Sequence, residues 1–155
     1  MAAEDPSIRS LLIPMEDSHL LLPSTVVAEV VGYSEPAPMP GDYPSWLLGS
    51  FNWRGQQVPV VAFEDMNSGT GVLPATRARL LVLKALGDRP KLPYFAILAQ
   101  GIPRLLRVHP DGIEDMEEPM DDAPAIRTAV LAHGEPAFIP DMEYVEDEIH
   151  RVLFR

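Results

Sequence analysis

Proline is the residue that most constrains what this chain can fold into, because 17 of its 155 residues are proline. Proline lacks a backbone N–H, and its ring clashes with the preceding helical turn, so it is poorly tolerated inside helices and central strands. The chain should therefore form short strands and many turns, with little helix. Its length is typical of a single domain and is sufficient to bury a hydrophobic core.

The charge of the chain limits its partners. The 23 acidic and 12 basic side chains give a net charge of −11, which repels phosphate backbones and anionic lipid surfaces. We therefore expect no nucleic-acid partner, and a partner with a basic or mainly apolar surface fits better. No apolar run reaches 18 residues and no secretory signal is present, so we expect no membrane insertion. The lack of cysteine excludes disulfides and thiolate catalysis, and it fits a reducing, cytoplasmic location.

Short apolar runs separated by polar turns predict a mainly β chain. The runs at 7–15 and 19–33 predict a β-hairpin, with a bend at Pro23 in the second run. Further strands are predicted at 47–53, 58–63, 79–86, 94–101, 102–108 and on both sides of the turn at 133–136.

The end of the chain shows a different pattern. Apolar residues recur there every three or four residues, at 142, 145, 149 and 152, which predicts an amphipathic helix. Asp141 is placed to cap its N-terminus, and Glu146 and His150 are i,i+4 neighbours within it.

The stretch LLGSFNWRGQQVPVVAF, residues 47–63, reads as two strands joined by a tight turn at Arg54-Gly55. Gly55 supplies the positive φ that such a turn commonly needs. Three interpretations of Arg54 stay open: a solvated turn residue, a half-buried ion pair, or a contact with another protein. Glu29 is the candidate acid for an ion pair, because an unpaired carboxylate turned inward from the apolar run VVAEVV would be costly.

Two tryptophans, Trp46 and Trp53, flank this turn in the sequence. Both are expected to pack in the core, since aromatic side chains carry large apolar areas. Either one would instead be an interface anchor if it were partly exposed next to Arg54, because tryptophan and arginine are favoured at binding hot spots.

The histidines and the acidic loop lack the usual patterns of metal-binding sites. The histidines at 19, 109, 133 and 150 do not have metal-site spacing and read as isolated surface or loop residues. The acidic loop 114–122 holds six acids in nine residues but lacks the spacing and glycine of a calcium loop. It is interpreted as a solvated loop, with a partner-binding patch or a metal-dependent hydrolase site as alternatives.

The segment TVVAEVVGY, a proline-rich connection and PSWLLGSFNWRGQQVPVVAFED together resemble the first half of CheW-like domains, the coupling modules of bacterial chemosensory arrays. The second half is similar at RARLLVLKAL, YFAILAQGIPRLLRV and AVLAHGEPAFIPDMEYV, so the resemblance covers roughly 8–149. The positions that match the family motif are Glu29, Trp46, Gly49, Asn52, Arg54, Gly55, Val58, Pro59, Val60 and Val61.

Three departures from the family pattern indicate a divergent member. Residues 100–103 read QGIP where the family often has a V-D-x-V-like sequence, and 62–63 read AF where an acid is usual. Trp53 replaces the commoner leucine before the arginine. A specialised array, such as one that governs pilus-based (type IV pili) surface motility, is one hypothesis.

The resemblance implies a mainly β fold of two packed SH3-like five-stranded β-barrels with a short C-terminal helix. The chain would be a single domain, with a first barrel at roughly 8–75 and a second barrel plus helix at 76–155. Residues expected to bind a protein or to form a structural pair are Glu29, Trp46, Asn52, Trp53, Arg54, Gly55 and Val58.

The resemblance also implies a function. Family members are non-enzymatic adaptors without cofactors that bind the CheW-like regulatory domain of a CheA-type histidine kinase and the cytoplasmic tip of a chemoreceptor. They work in the bacterial cytoplasm, at membrane-associated receptor arrays. An adaptor or inhibitor that binds the kinase without a receptor is the alternative within the same fold.

Overall fold

The structure is a computed structural model that describes residues 6–16, 18–69, 71–87, 89–116 and 123–154, without the side chains of 67 and 68. Eleven strands and two α-helices occur within these residues. The strands are β1 (Ile8–Pro14), β2 (His19–Pro23), β3 (Val27–Gly32), β4 (Leu47–Trp53), β5 (Gln56–Val61), β6 (Arg79–Lys84), β7 (Tyr94–Ala99), β8 (Arg104–Val108), β9 (Ile113–Asp115), β10 (Ile126–Ala132) and β11 (Glu135–Pro140). The helices are α1 (Phe63–Ser68) and α2 (Met142–Leu153), and short 3₁₀ turns lie at Ser24–Val26 and Pro110–Gly112.

The strands form two sheets. One has six strands in the order β8-β1-β2-β11-β10-β9, and the other has five in the order β3-β6-β7-β5-β4. Neighbouring strands are antiparallel except for two parallel pairs, β2 with β11 and β5 with β7. The prediction of a mainly β fold with two subdomains and a C-terminal helix is therefore confirmed, although one sheet has six strands rather than five.

The two sheets do not follow the division into 8–75 and 76–155 that the sequence suggested. β1 and β2 pair within the sheet of β8 to β11, while β6 and β7 pair within the sheet of β3 to β5. The chain first changes sheets at Pro23 and the turn Ser24–Val26, where the missing proline N–H cannot extend the β2 ladder. It returns between β7 and β8. Apolar runs reveal where strands occur, but not which sheet each strand joins.

The central strands are buried on both faces. Leu80 and Val82 of β6 point into a cluster inside the five-stranded sheet, while Leu81 and Leu83 join a second cluster that also contains Ile13 and residues of α2. A third cluster lies within the six-stranded sheet. This layering explains why β6 and β7 read as continuous apolar runs rather than as alternating ones.

Helix α2 matches the prediction closely. The Asp141 carboxylate accepts a hydrogen bond from the Tyr144 backbone N–H at 3.1 Å, which is the expected N-cap. The predicted apolar face packs against the cluster between the sheets. No helix among the described residues is long and apolar enough to cross a membrane.

Candidate functional site

The turn of the β4–β5 hairpin has a left-handed backbone conformation that few residue types adopt readily. Arg54 has φ 49° and Gly55 has φ 79°, so both central residues are left-handed, as in a type I′ turn. The Asn52 side-chain oxygen accepts the Gly55 N–H at 3.0 Å. The predicted tight hairpin is thus present, and Asn52 and Gly55 hold its tip in shape.

Glu29 receives two hydrogen bonds from this hairpin. Its Oε1 accepts from Arg54 Nη2 at 2.9 Å and from Trp53 Nε1 at 3.2 Å. Glu29 lies on β3 and Trp53 ends β4, and these strands are the two edges of the five-stranded sheet. The contact therefore requires the sheet to curl until its edges meet. We call the group Glu29, Trp53 and Arg54 the Glu29 clasp.

The three side chains of the clasp range from buried to mostly exposed. The side chain of Arg54 is 67% exposed and that of Glu29 is 39% exposed, whereas Trp53 is only 6% exposed. The Arg54 Cζ lies 4.8 Å from the Trp53 ring centroid, and the Trp53 ring packs on Tyr94 with centroids 4.9 Å apart. Arg54 forms the ion pair with Glu29, although its side chain is mostly exposed rather than half-buried, so the guanidinium is still accessible to a partner.

The other predicted residues, Val58 and Trp46, pack in or against the hydrophobic core. Val58 is buried in the same cluster as Trp53, on the inner face of the hairpin. Trp46 is half-buried against the cluster between the sheets, and its carbonyl accepts from the Ala62 N–H at 2.8 Å. The structure therefore assigns Trp46 to a different cluster from the clasp.

A groove of about 580 Å³ runs beside the clasp. Its walls come from the proline-rich connection, from β5, from the loop between β6 and β7, and from the end of α2. Tyr94 lines this groove and packs on Trp53 with the two rings tilted by 59°, so the groove adjoins the clasp. We call it the clasp groove; other lining residues include Tyr43, Val58, Lys91 and Phe154.

A second groove, of about 600 Å³, lies between elements of the two sheets. We call it the inter-sheet groove. One wall is the loop after β6 with Leu86 and Arg89, another is β10 and β11, and the third is the start of α2 with Met142 and Glu143. Leu86 is 62% exposed, so an apolar side chain faces solvent at this site.

Sequence reasoning missed Glu146, which is only 1% exposed and lines the inter-sheet groove. It does not pair with His150; its carboxylate accepts the backbone N–H groups of Leu86 and Gly87 at 2.8 and 2.7 Å. A signal was present, because Glu146 follows Met142 by four residues and precedes Ile149 by three, which places it on the apolar stripe.

The histidines and the acidic loop were predicted to be isolated surface residues and a solvated loop, and the structure differs from this in two respects. His109 and His133 are not isolated. Their ring centroids lie 5.6 Å apart, and the His133 Nε2 accepts a hydrogen bond from the His109 backbone N–H at 3.2 Å. Glu114 and Asp115 form part of β9, and residues 117–122 of the acidic loop lie outside the described residues. Across the part of the chain that the structure describes, no three potential metal-ligating side chains cluster together.

Comparison with known proteins places this geometry in a family. The family model of the CheW-like domain matches residues 9–149. The crystal structure of the scaffolding protein TtCheW from Thermoanaerobacter tengcongensis superposes with a TM-score of 0.72 at 15% sequence identity, over 91% of this chain and 88% of that one. A search of curated proteins found no match. The chain belongs to the CheW-like domain family.

Proposed function

We propose that this chain is a non-enzymatic adaptor that couples a CheA-type histidine kinase to chemoreceptors in a bacterial chemosensory array. The observation that carries the proposal is the family match over residues 9–149, which includes the hairpin that presents Arg54. The description of TtCheW as a scaffolding protein supports the same role. The adaptor would act in the cytoplasm and be recruited to membrane-associated arrays.

The Glu29 clasp is the proposed contact for the kinase regulatory domain. Arg54 projects from a turn whose backbone is fixed, and its guanidinium rests on a buried indole. A side chain that is already ordered loses less conformational entropy on binding, and arginine is enriched at binding hot spots. The CheW-like domain of the kinase would pack against this end of the five-stranded sheet.

The inter-sheet groove is the proposed receptor site. Receptor tips are helical hairpins, and a helix binds a groove by inserting apolar residues along one face. Leu86 and Met142 offer apolar contacts there, while Arg89, Arg127 and Glu143 supply charge at its walls. A receptor helix with apolar residues flanked by charges would fit these walls.

Two titrations test the proposal. The purified chain is titrated against the isolated regulatory domain of a chemotaxis kinase from the same cell, and separately against a receptor-tip fragment. Arg54→Ala should weaken kinase binding about tenfold, because truncation of a hot-spot residue costs roughly 1.4 kcal/mol or more. Arg104→Ala is the matched control, since Arg104 forms a similarly exposed ion pair with Glu135 on the other sheet.

The outcomes separate the alternatives. Saturable binding to both partners supports coupling. Binding to the kinase alone supports the adaptor or inhibitor without a receptor. No binding to either partner by the folded chain contradicts the proposal. A pilus pathway is the proposed setting, and loss of twitching but not swimming in a deletion strain would support it.

A further inference from the structure

Glu146 is a carboxylate in an apolar position, and its partners all lie in one loop. Its Oε2 accepts the Leu86 N–H and its Oε1 accepts the Gly87 N–H, while Arg89 Nη1 lies 3.4 Å from Oε1. A buried charge is costly unless such partners compensate it. The carboxylate therefore ties Leu86, Gly87 and Arg89 of the loop between β6 and β7 to α2. We call Glu146 with Leu86, Gly87 and Arg89 the Glu146 latch.

The tied loop reaches both grooves. Leu86, Gly87 and Arg89 line the inter-sheet groove, and Lys91 and Leu92 near the other end of the loop line the clasp groove. Helix α2 spans the same interval, because Met142 lines one groove and Leu153 lines the other, about 16 Å apart along the helix axis. One loop and one helix are thus common to both sites.

Backbone hydrogen bonds join the two ends of this loop. The Ala85 N–H donates to the Pro93 carbonyl and the Leu92 N–H donates to the Arg89 carbonyl, both at 3.0 Å. Leu92 is buried in the cluster between the sheets. A shift of the loop at Leu86 is therefore passed on toward the start of β7.

The far end of this path is the Glu29 clasp. β7 begins at Tyr94, whose ring packs on Trp53, and the Trp53 indole N–H donates to Glu29. A continuous series of bonded and packed groups thus leads from the inter-sheet groove to the hairpin tip. Coupling between sites needs such a series together with an element that has two states.

We propose that the Glu146 latch is that element and couples occupation of the inter-sheet groove to the Glu29 clasp. In the closed state Glu146 holds Leu86 and Gly87; in the open state these N–H groups are released to solvent. A ligand that contacts Leu86 and Arg89 in the closed state favours that state. A ligand at the clasp that binds the closed state better then strengthens binding in the groove, and by reciprocity the groove ligand strengthens binding at the clasp by the same factor. The identity of both ligands rests on the proposed function, whereas the coupling is a property of this chain alone.

The test is nuclear magnetic resonance on the full-length ¹⁵N-labelled chain without any partner. Glu146→Gln keeps the side-chain shape but removes the charge and one acceptor oxygen. The Leu86 and Gly87 amides should exchange with solvent at least tenfold faster, and the Trp53 indole N–H should shift and exchange faster as well. Glu143→Gln is the matched control, because Glu143 lines the same groove but is exposed. It should leave all three signals unchanged.

Faster exchange confined to Leu86 and Gly87, with Trp53 unchanged, would overturn the coupling, and so would unchanged exchange at all three. If Glu146→Gln does not fold, Gly87→Ala tests the same coupling, because an added Cβ would overlap the Arg89 guanidinium and force that side chain away from Glu146, which itself stays intact. No kinase or receptor enters this experiment. Failure of the proposed function would therefore appear in the titrations and not here.

Discussion

The Glu29 clasp gives the most detailed test of the structure. Glu29 bonds two different groups with one oxygen: the exposed guanidinium of Arg54 and the indole N–H of the buried Trp53. Glu29→Ala removes both bonds, whereas Arg54→Ala removes only the ion pair and the contact between the guanidinium and the Trp53 ring. The two single substitutions should therefore differ in cost, although they break the same salt bridge.

The expected losses in the free energy of unfolding depend on how exposed each broken contact is. Glu29→Ala leaves a buried indole donor without its acceptor, so we expect a loss of about 2 kcal/mol in the free energy of unfolding. Arg54→Ala should cost about 1 kcal/mol, since an exposed ion pair contributes about 0.2–1 kcal/mol and an exposed cation–π contact about 0.5–1 kcal/mol. The double variant should cost about 0.5 kcal/mol less than the sum, because the ion pair can be lost only once.

Urea denaturation of the four proteins of this cycle measures these differences through the transition midpoint and slope. The Arg104–Glu135 pair on the six-stranded sheet is the control, with both carboxylate oxygens of Glu135 accepting from Arg104 at 2.7 Å. Each single substitution there should cost less than about 1 kcal/mol. If Glu29→Ala were no more destabilising than Arg54→Ala, or if the cycle were additive, the clasp as described would be wrong.

Three further predictions concern stability. Gly49→Ala should lower the free energy of unfolding by at least about 2 kcal/mol in chemical denaturation, because φ is 142° and an added Cβ would overlap the Ala37 carbonyl. Gly71→Ala, at an open position, should change it by less than about 1 kcal/mol, and equal effects of the two substitutions would refute the steric argument. Glu146→Ala should cost about 1–3 kcal/mol in thermal unfolding, because the Leu86 and Gly87 N–H groups lose their acceptor, and exposed Glu143→Ala less than about 0.5 kcal/mol, so similar melting temperatures would contradict the latch. Gly55→Ala should lower the melting temperature more than Gly55→Asn, since asparagine tolerates φ 79°, and the reverse order would argue against the type I′ turn.

Local patterns in the sequence predicted most of the individual elements. Apolar runs located every strand except β9, which overlaps the start of the predicted acidic loop, and the three-to-four spacing with Asp141 located α2 and its cap, because both signals depend on neighbouring residues. The short helix α1 was not predicted. Sheet membership was not predictable in this way. The runs on either side of Pro23 look alike in composition, yet β2 and β3 lie in different sheets, and only long-range packing decides between the two.

The candidate site was predictable in part for the same reason. A carboxylate inside an apolar strand and an arginine in a tight turn indicated the Glu29–Arg54 pair, which the structure contains. The hydrogen bond from Trp53 and the packing of Tyr94 on its ring depend on the curl of the sheet, which no local pattern encodes. Glu146 looked like a surface residue because its partners are backbone N–H groups about 60 residues earlier in the chain.

This chain is proposed to bridge two proteins, and a three-component capture assay measures that bridge itself. A receptor-tip fragment is immobilised, and the kinase regulatory domain is applied with and without this chain. We expect the kinase domain to be retained only when the chain is present, and Arg54→Ala to reduce the amount retained while Arg104→Ala does not. Retention that is the same without the chain, or absent with it although the chain is folded, would show that the chain does not bridge the two proteins.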